Sequence, residues 1–166
     1  HTGTLREVHT TGRVGWGYTA VSFSPDGRWM AAAWEQRALE VWSTTPWRSR
    51  DLKDPHGRRI MALAWLDEST LVSGSHRRLL AWHNVQTGAL LRTRKLGYRV
   101  TSLDLNADKS VLAASGSDNL VHLLDPTTGE EKGVLRGHSD EANCAKFVAG
   151  GPLLLSAGDD NTVRLW

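Results

Sequence analysis

The sequence predicts an all-β protein built from four repeated four-stranded units, and three observations carry that prediction. The strand-end residues Trp42, Trp82, Leu124 and Trp166 follow one another at steps of 40, 42 and 42, and Phe23, Trp65, Leu105 and Phe147 repeat upstream over the same range. A period of this size marks stacked supersecondary units, none of which can bury its faces alone. Within each unit, short apolar runs alternate with turn chemistry, and no helical period occurs anywhere. The strands carry apolar residues on both faces, so each sheet needs cover on both sides, which radial stacking of like sheets supplies.

The elements follow in chain order. The first unit turns at Ser24-Pro25-Asp26-Gly27 and ends a strand at Leu39-Glu40-Val41-Trp42. The second ends a strand at Leu79-Leu80-Ala81-Trp82 and turns at Asn84-Val85-Gln86-Thr87-Gly88. The third has runs over 100–105, 111–115, 120–124 and 133–135, separated by Asn106-Ala107-Asp108-Lys109, Ser117-Asp118-Asn119 and Asp125-Pro126-Thr127-Thr128-Gly129. The fourth opens with Gly137-His138-Ser139-Asp140 and runs to Trp166. Strands joined by such tight turns pair antiparallel. The units span 9–52, 53–94, 95–136 and 137–166. Residues 1–8 match a third turn and fourth strand, as at Thr128-Gly129, and are expected to supply the outer strand that the last unit lacks.

Hydrophobic residues make up 40% of the 166, enough for a core, and the formal net charge is only +2. No apolar run is long enough to span a bilayer, and no secretory pattern is present. The expectation is a cytoplasmic protein without a membrane partner. The single cysteine, Cys144, rules out an internal disulfide framework or a cysteine-rich zinc site, and its neighbours Ala145 and Phe147 predict a core thiol. The seven histidines form no metal-binding pair, and the glycines form no phosphate loop, so no metal or cofactor is expected. The chain opens on histidine rather than methionine and reads as a processed product or an excerpt.

The Gly137-His138 dipeptide, the Ser-Pro-Asp-Gly turn, the Thr-Gly third turns and the run Ser156…Asp160-Asn161-Thr162-Val163-Arg164-Leu165-Trp166 resemble the WD-repeat β-propellers. The resemblance covers essentially the whole chain, closely in the last unit and in degenerate form in the others. It implies four-stranded antiparallel blades, four in this chain, forming part of a larger ring or half of an eight-bladed dimer. It also implies a buried hydrogen-bonded tetrad of His138, Ser156, Asp160 and Trp166. In the other units the reading places His76 and Gln36 where the Asp belongs and finds no matching His in the third. The same His, Ser and Asp could be taken for a hydrolytic triad, but the tetrad also accounts for Trp166, so no catalytic residue is assigned. The implied role is a rigid, non-catalytic scaffold for a protein or peptide, or the ligand-sensing module of a larger protein.

Charge adds detail. Residues 46–100 hold eleven Arg or Lys against four acids, and residues 101–166 hold five against ten. A basic sector would favour an acidic partner, with nucleic acid the less favoured alternative given how few aromatics interleave (Trp47 and Tyr98). Opposed sectors could also steer formation of a homodimer. The partner-facing loops implied by the resemblance hold Gly17, Arg58, Arg59, Arg99 and Glu141 before the first strands, and Glu35, Ser75, Ser117 and Asp159 before the Asp position. Trp16, Tyr18 and Trp34 lie near this face as candidate aromatic anchors, although Tyr18 aligns with apolar Ile60, Val100 and Ala142 and is expected to pack between units.

Overall fold

Short apolar runs punctuated by tight turns fold here into four antiparallel meanders. The computed structural model describes residues 17–35, 39–149 and 151–166. The first sheet is β1 (Tyr18–Phe23), β2 (Trp29–Trp34), β3 (Leu39–Thr44) and β4 (Trp47–Leu52). The second is β5 (Ile60–Trp65), β6 (Thr70–Ser75), β7 (Leu79–Asn84) and β8 (Leu90–Lys95). The third is β9 (Val100–Leu105), β10 (Leu112–Gly116), β11 (Leu120–Leu124) and β12 (Glu131–Arg136). The fourth has three described strands, β13 (Ala142–Phe147), β14 (Leu154–Gly158) and β15 (Val163–Leu165). All pairings are antiparallel and sequential, and no helix occurs among the described residues. The outer strand expected from residues 1–8 lies outside the described residues.

The sheets stand side by side as four blades of a β-propeller. The first strands pack in succession, β1 on β5, β5 on β9 and β9 on β13. One apolar layer fills each junction. Ala31, Ala33, Leu39 and Val41 meet Ile60, Leu63, Trp65 and Leu71 between blades 1 and 2. Val72, Leu80 and Trp82 meet Tyr98, Val100 and Leu103 between blades 2 and 3. Ala113 and Val121 meet Ala142, Ala145 and Leu154 between blades 3 and 4. Full burial of one large apolar side chain contributes about 1.5–3 kcal/mol, so these layers dominate the cohesion of the stack. Hydroxyls stitch two of the junctions as well: Thr19 Oγ1 donates to the Ile60 carbonyl and Thr101 Oγ1 to the Ala142 carbonyl, each at 2.6 Å.

The outward faces of the terminal blades are not covered in this way. Val21 and Phe23 on blade 1 are 67% and 60% exposed, and Val163 and Leu165 on blade 4 are 73% and 60% exposed. Cys144 lies on the same side of blade 4 as Leu155, its pairing neighbour being Ala157, and its side chain is exposed. The expected core thiol is therefore corrected: the bulge between Ala142 and Cys144 turns Ala145, not Cys144, into the junction with blade 3.

The structure also corrects the register of the second blade. The turn after the first strand closes from Ser24 to Trp29, from Asn106 to Val111 and from Val148 to Leu153 in three blades, but from Leu66 to Thr70 in the second. That turn is one residue shorter. Met30 pairs with Trp42 and Leu112 with Leu124, whereas the equivalent Leu71 pairs with His83. His83, not Trp82, thus occupies the strand-end position of Trp42, Leu124 and Trp166. A slip of one residue moves a side chain to the other face of a strand. Trp82 accordingly faces blade 3, where its indole N–H donates to the Pro126 carbonyl at 2.7 Å.

Candidate functional site: a docking rim above buried histidine centres

One backbone hydrogen bond recurs in every blade and defines the rim. The N–H groups of Glu35, His76, Ser117 and Asp159 donate to the carbonyls of Gly17, Arg59, Arg99 and Glu141, at 3.2, 3.0, 3.1 and 2.9 Å. Each bond ties the loop before a blade's first strand to the turn between its second and third. The turns share a further feature: Arg78, Asn119 and Asn161 all take positive φ, at 62°, 70° and 62°. Asparagine tolerates that conformation at low cost, and the arginine adopts it under constraint from the repeat. The shared geometry places His76 beside Asp159 in register and Arg77 beside Asp160. His76 therefore does not stand at the Asp position; Arg77 does.

The register correction removes Ser75 from the candidate surface. Its side chain is buried, at 0% exposure, and its hydroxyl interacts with the Leu79 carbonyl and the Arg77 N–H. His76 takes its place on the rim. Trp34 is buried at 4% and is no free anchor, while Tyr18 leans on it with ring centroids 4.4 Å apart and stays 38% exposed. Trp16 and Gln36 lie outside the described residues.

The rim side chains are linked across blades. Arg59 of blade 2 reaches Glu35 of blade 1 at 3.5 Å. Arg99 of blade 3 donates to His76 Nε2 of blade 2 at 2.9 Å and to Glu141 Oε2 of blade 4 at 3.0 Å. Because arginine can only donate, His76 accepts at Nε2 and is neutral in this arrangement. Partial burial, then Arg99, Arg58 and Arg59, pull its pKa below the ordinary value against the opposing pull of Glu141. Asp159 accepts from the Asn143 side-chain amide. Arg58 and Ser117 complete the set, Arg58 exposed and Ser117 with its hydroxyl against the Arg99 N–H at 3.1 Å.

Beneath the rim of blade 4, His138, Ser156, Asp160 and Trp166 come together. The Trp166 indole N–H donates to Ser156 Oγ at 2.9 Å, and Ser156 Oγ lies 2.7 Å from His138 Nε2. His138 Nδ1 lies 2.9 Å from Asp160 Oδ2. With the indole as donor, Ser156 donates onward to Nε2, and Nδ1–H donates to the carboxylate. Burial alone would raise the Asp160 carboxyl. Hydrogen bonds from Thr162 Oγ1, from His138 and from the backbone N–H groups of Ser139 and Thr162 outweigh it and hold the group well below the usual carboxylate range. Gly158 leaves room for the imidazole, since a Cβ there would sit 2.8 Å from His138 Nδ1.

Blades 2 and 3 build different centres in the same place. In blade 2, His56 Nε2 lies 2.7 Å from Ser73 Oγ, which lies 2.9 Å from His83 Nε2. The hydroxyl can donate to one imidazole and accept from the other, so both Nε2 atoms are partnered when the rings are neutral. Among the described residues no carboxylate meets His56 Nδ1; Arg77 stands at the Asp position, and the Asp54 carboxylate accepts instead from the His56 backbone N–H at 2.7 Å. Burial pushes His56 down to about 3, with the neighbouring His83 adding to the shift, and burial pushes His83 down to about 4. In blade 3 the Tyr98 ring stacks on His122, centroids 3.7 Å apart and 8° from parallel. His122 Nδ1 lies 2.7 Å from Glu131 Oε2, and Nε2 lies 3.1 Å from Asp118 Oδ2. A Cβ at Gly116 would sit 2.7 Å from the Tyr98 ring, so this glycine serves Tyr98 as Gly158 serves His138. Tyr98, at 6% exposure, is thus not available for stacking on a base. The sequence signal for blade 2 was present in the spacing His56–Ile60, which equals His138–Ala142; nothing local in the sequence pointed to Tyr98. Among the described residues no group of three or more His, Cys, Asp or Glu could hold a metal ion.

The repeated sequence unit is matched by comparison with known proteins. The family model described as "WD domain, G-beta repeat" matches residues 3–43, 89–125 and 129–166, well over half of the chain. The chain belongs to the WD-repeat family. It is 29% identical over 165 residues to a THO complex subunit 6 homolog of Danio rerio, covering 87% of this chain and 51% of that protein. It is 34% identical over 100 residues to a serine-threonine kinase receptor-associated protein of Dictyostelium discoideum, covering 60% of this chain and 34% of that protein. It is 25% identical over 177 residues to a protein of Arabidopsis thaliana named Cell division cycle 20.1, cofactor of APC complex, covering 99% of this chain and 38% of that protein. The chain thus spans about half the length of these relatives, or less.

Two outcomes follow from the buried centres. Ser156→Ala removes the hydroxyl shared by His138 and Trp166 and lowers stability by about 1–3 kcal/mol, read as a lower urea midpoint with an unchanged slope; an unaltered midpoint would contradict a structural role. For His56 and His83 the folded pKa is depressed, so both are neutral in the fold while the unfolded chain takes up protons near pH 6.5. Stability is complete above that pH and falls as pH drops toward the folded values of about 4 and about 3. Each histidine contributes a slope approaching about 1.4 kcal/mol per pH unit. His83→Gln is expected to flatten the stability profile between pH 6.5 and about 4.5, and an identical profile would refute the assignment.

Proposed function

We propose that this WD-repeat chain is a non-catalytic platform whose rim docks a protein or peptide partner. The observation that carries the reading is the recurring rim bond: one backbone geometry presents a different pair of side chains in each blade. A rigid scaffold with variable, solvent-facing tips is where recognition is expected. The members named above as a complex subunit, a receptor-associated protein and a complex cofactor are consistent with such a role. Ser156, His138 and Asp160 are read as structural rather than hydrolytic, because the serine hydroxyl is buried at 2% and already engaged by Trp166. Tetrad residues His138, Ser156, Asp160 and Trp166 then fix the turn that carries Asp159.

The finer reading assigns the partner an acidic segment that meets Arg58, Arg59 and Arg99, in preference to nucleic acid. The ligand-sensing module of a longer protein is the second reading, supported by the length of the relatives. The exposed apolar faces of blades 1 and 4 favour cover by further blades or by a second copy of the chain. Cytoplasmic placement rests on the sequence reading alone.

Binding of a fluorescent polyglutamate peptide, followed by anisotropy, tests the basic docking site. Arg58→Glu/Arg59→Glu/Arg99→Glu is expected to weaken it about tenfold, three reversals at roughly 0.5 kcal/mol each, and added salt is expected to weaken the wild type. Equal affinity in both proteins, with no salt dependence, removes the acidic-partner reading. Light scattering after size exclusion of this 18.3 kDa chain is expected to give twice that mass. A stable monomer at high concentration would discard the second-copy reading.

A further inference from the structure

The rim bonds put two oppositely charged clusters on one face of the arc. Blade 2 presents Arg58 and Arg59 before β5 and Arg77 and Arg78 in the turn after β6, all exposed. Among the described residues only Arg59 of these four has a carboxylate partner, Glu35 at 3.5 Å with both side chains well exposed. Blade 4 presents Asp140 and Glu141 before β13 and Asp159 in the turn after β14. Asp140 and Asp159 are exposed and form no ion pair among the described residues. Blade 3, between them, contributes one charge of each sign, Arg99 and Asp118, and both are already engaged. Its Arg99 is held by His76 and Glu141, and its Asp118 by His122. The rim therefore carries a lateral dipole, positive over blade 2 and negative over blade 4, with a polar bridge between.

Such a field discriminates among partners by the order of their charges as well as by their net charge. A uniformly acidic segment gains at blade 2 and is repelled at blade 4, and a uniformly basic one suffers the reverse. Repulsion of the wrong arrangement is a strong source of specificity. We infer that the rim docks a charge-segregated peptide in one orientation, its acidic end over Arg58, Arg59, Arg77 and Arg78 and its basic end over Asp140 and Asp159. The inference rests on the docking-platform reading and sharpens its acidic-partner form. Arg99, tied to both clusters, positions the bridge rather than supplying free charge.

The test uses two fluorescent peptides of identical composition and about twelve residues, long enough when extended to span roughly 40 Å. One carries a run of glutamates, a Gly-Ser spacer and a run of arginines; the other alternates the two charges. The segregated peptide is expected to bind about tenfold tighter, a difference of about 1.4 kcal/mol. A photo-crosslinker at its glutamate end is expected to label blade 2 and one at its arginine end to label blade 4. Asp140→Lys/Asp159→Lys is expected to erase the preference for that peptide and to strengthen polyglutamate binding. Equal affinity for the two peptides overturns the inference; if polyglutamate still binds through the arginines, the basic docking site survives it. Failure of all three peptides to bind overturns both.

Discussion

Every blade in this arc is apolar on both faces, and that single constraint organises the molecule. A sheet with one wet face could stand alone, but these sheets must be covered by their neighbours. The side chains that provide the cover are set by strand alternation, and alternation is set by the lengths of the turns. Ala31 and Val41 point to blade 2 because Ala32 and Trp42 point away. The same rule leaves Val21, Phe23, Val163 and Leu165 exposed at the two ends of the arc. Packing, not hydrogen bonding, carries most of the cohesion; the hydroxyl links from Thr19 and Thr101 fix how far one first strand slides against the next.

The buried polar centres show how a repeat tolerates loss of its signature. Blade 4 satisfies an imidazole with a serine on one side and a carboxylate on the other. Blade 2 has Arg77 where blade 4 has its carboxylate, and it pairs two neutral imidazoles through one serine. Blade 3 replaces the imidazole with the Tyr98 ring and places a different histidine, His122, between two acids. Each solution fills the same space at the end of a blade, next to the rim turn. They differ in what they ask of solvent pH, because burial favours the uncharged form of the blade 2 pair, whereas the Asp160 carboxylate is stabilised in its charged form.

The rim inherits its form from these centres. A turn held at fixed geometry by its backbone lets its outward side chains change freely from blade to blade, and in this chain they have diverged into a basic and an acidic cluster. The divergence costs the fold little, since the bonds that define the rim are between backbone atoms. Arg99 is the exception, joining three blades through His76 and Glu141, so it belongs to the scaffold as much as to the surface.

The four-unit, all-strand architecture could be read from the period and from the turn residues, because repeats of equal length and alternating apolar pattern leave few other ways to bury both faces. The tetrad residues of the last unit were legible for the same reason: the motif is local to one blade. What the chain alone could not reveal was the shortened turn between Trp65 and Leu71. Losing one residue there leaves the overall period almost unchanged but turns the next strands over, so His83 replaces Trp82, Arg77 replaces His76 at the Asp position and Ser75 goes inside. Nor could it show that Tyr98 fills the histidine site of blade 3 or that a bulge turns Cys144 outward. Those outcomes depend on register and on which ring fits an existing cavity, and both are decided only when neighbouring strands and blades are in contact.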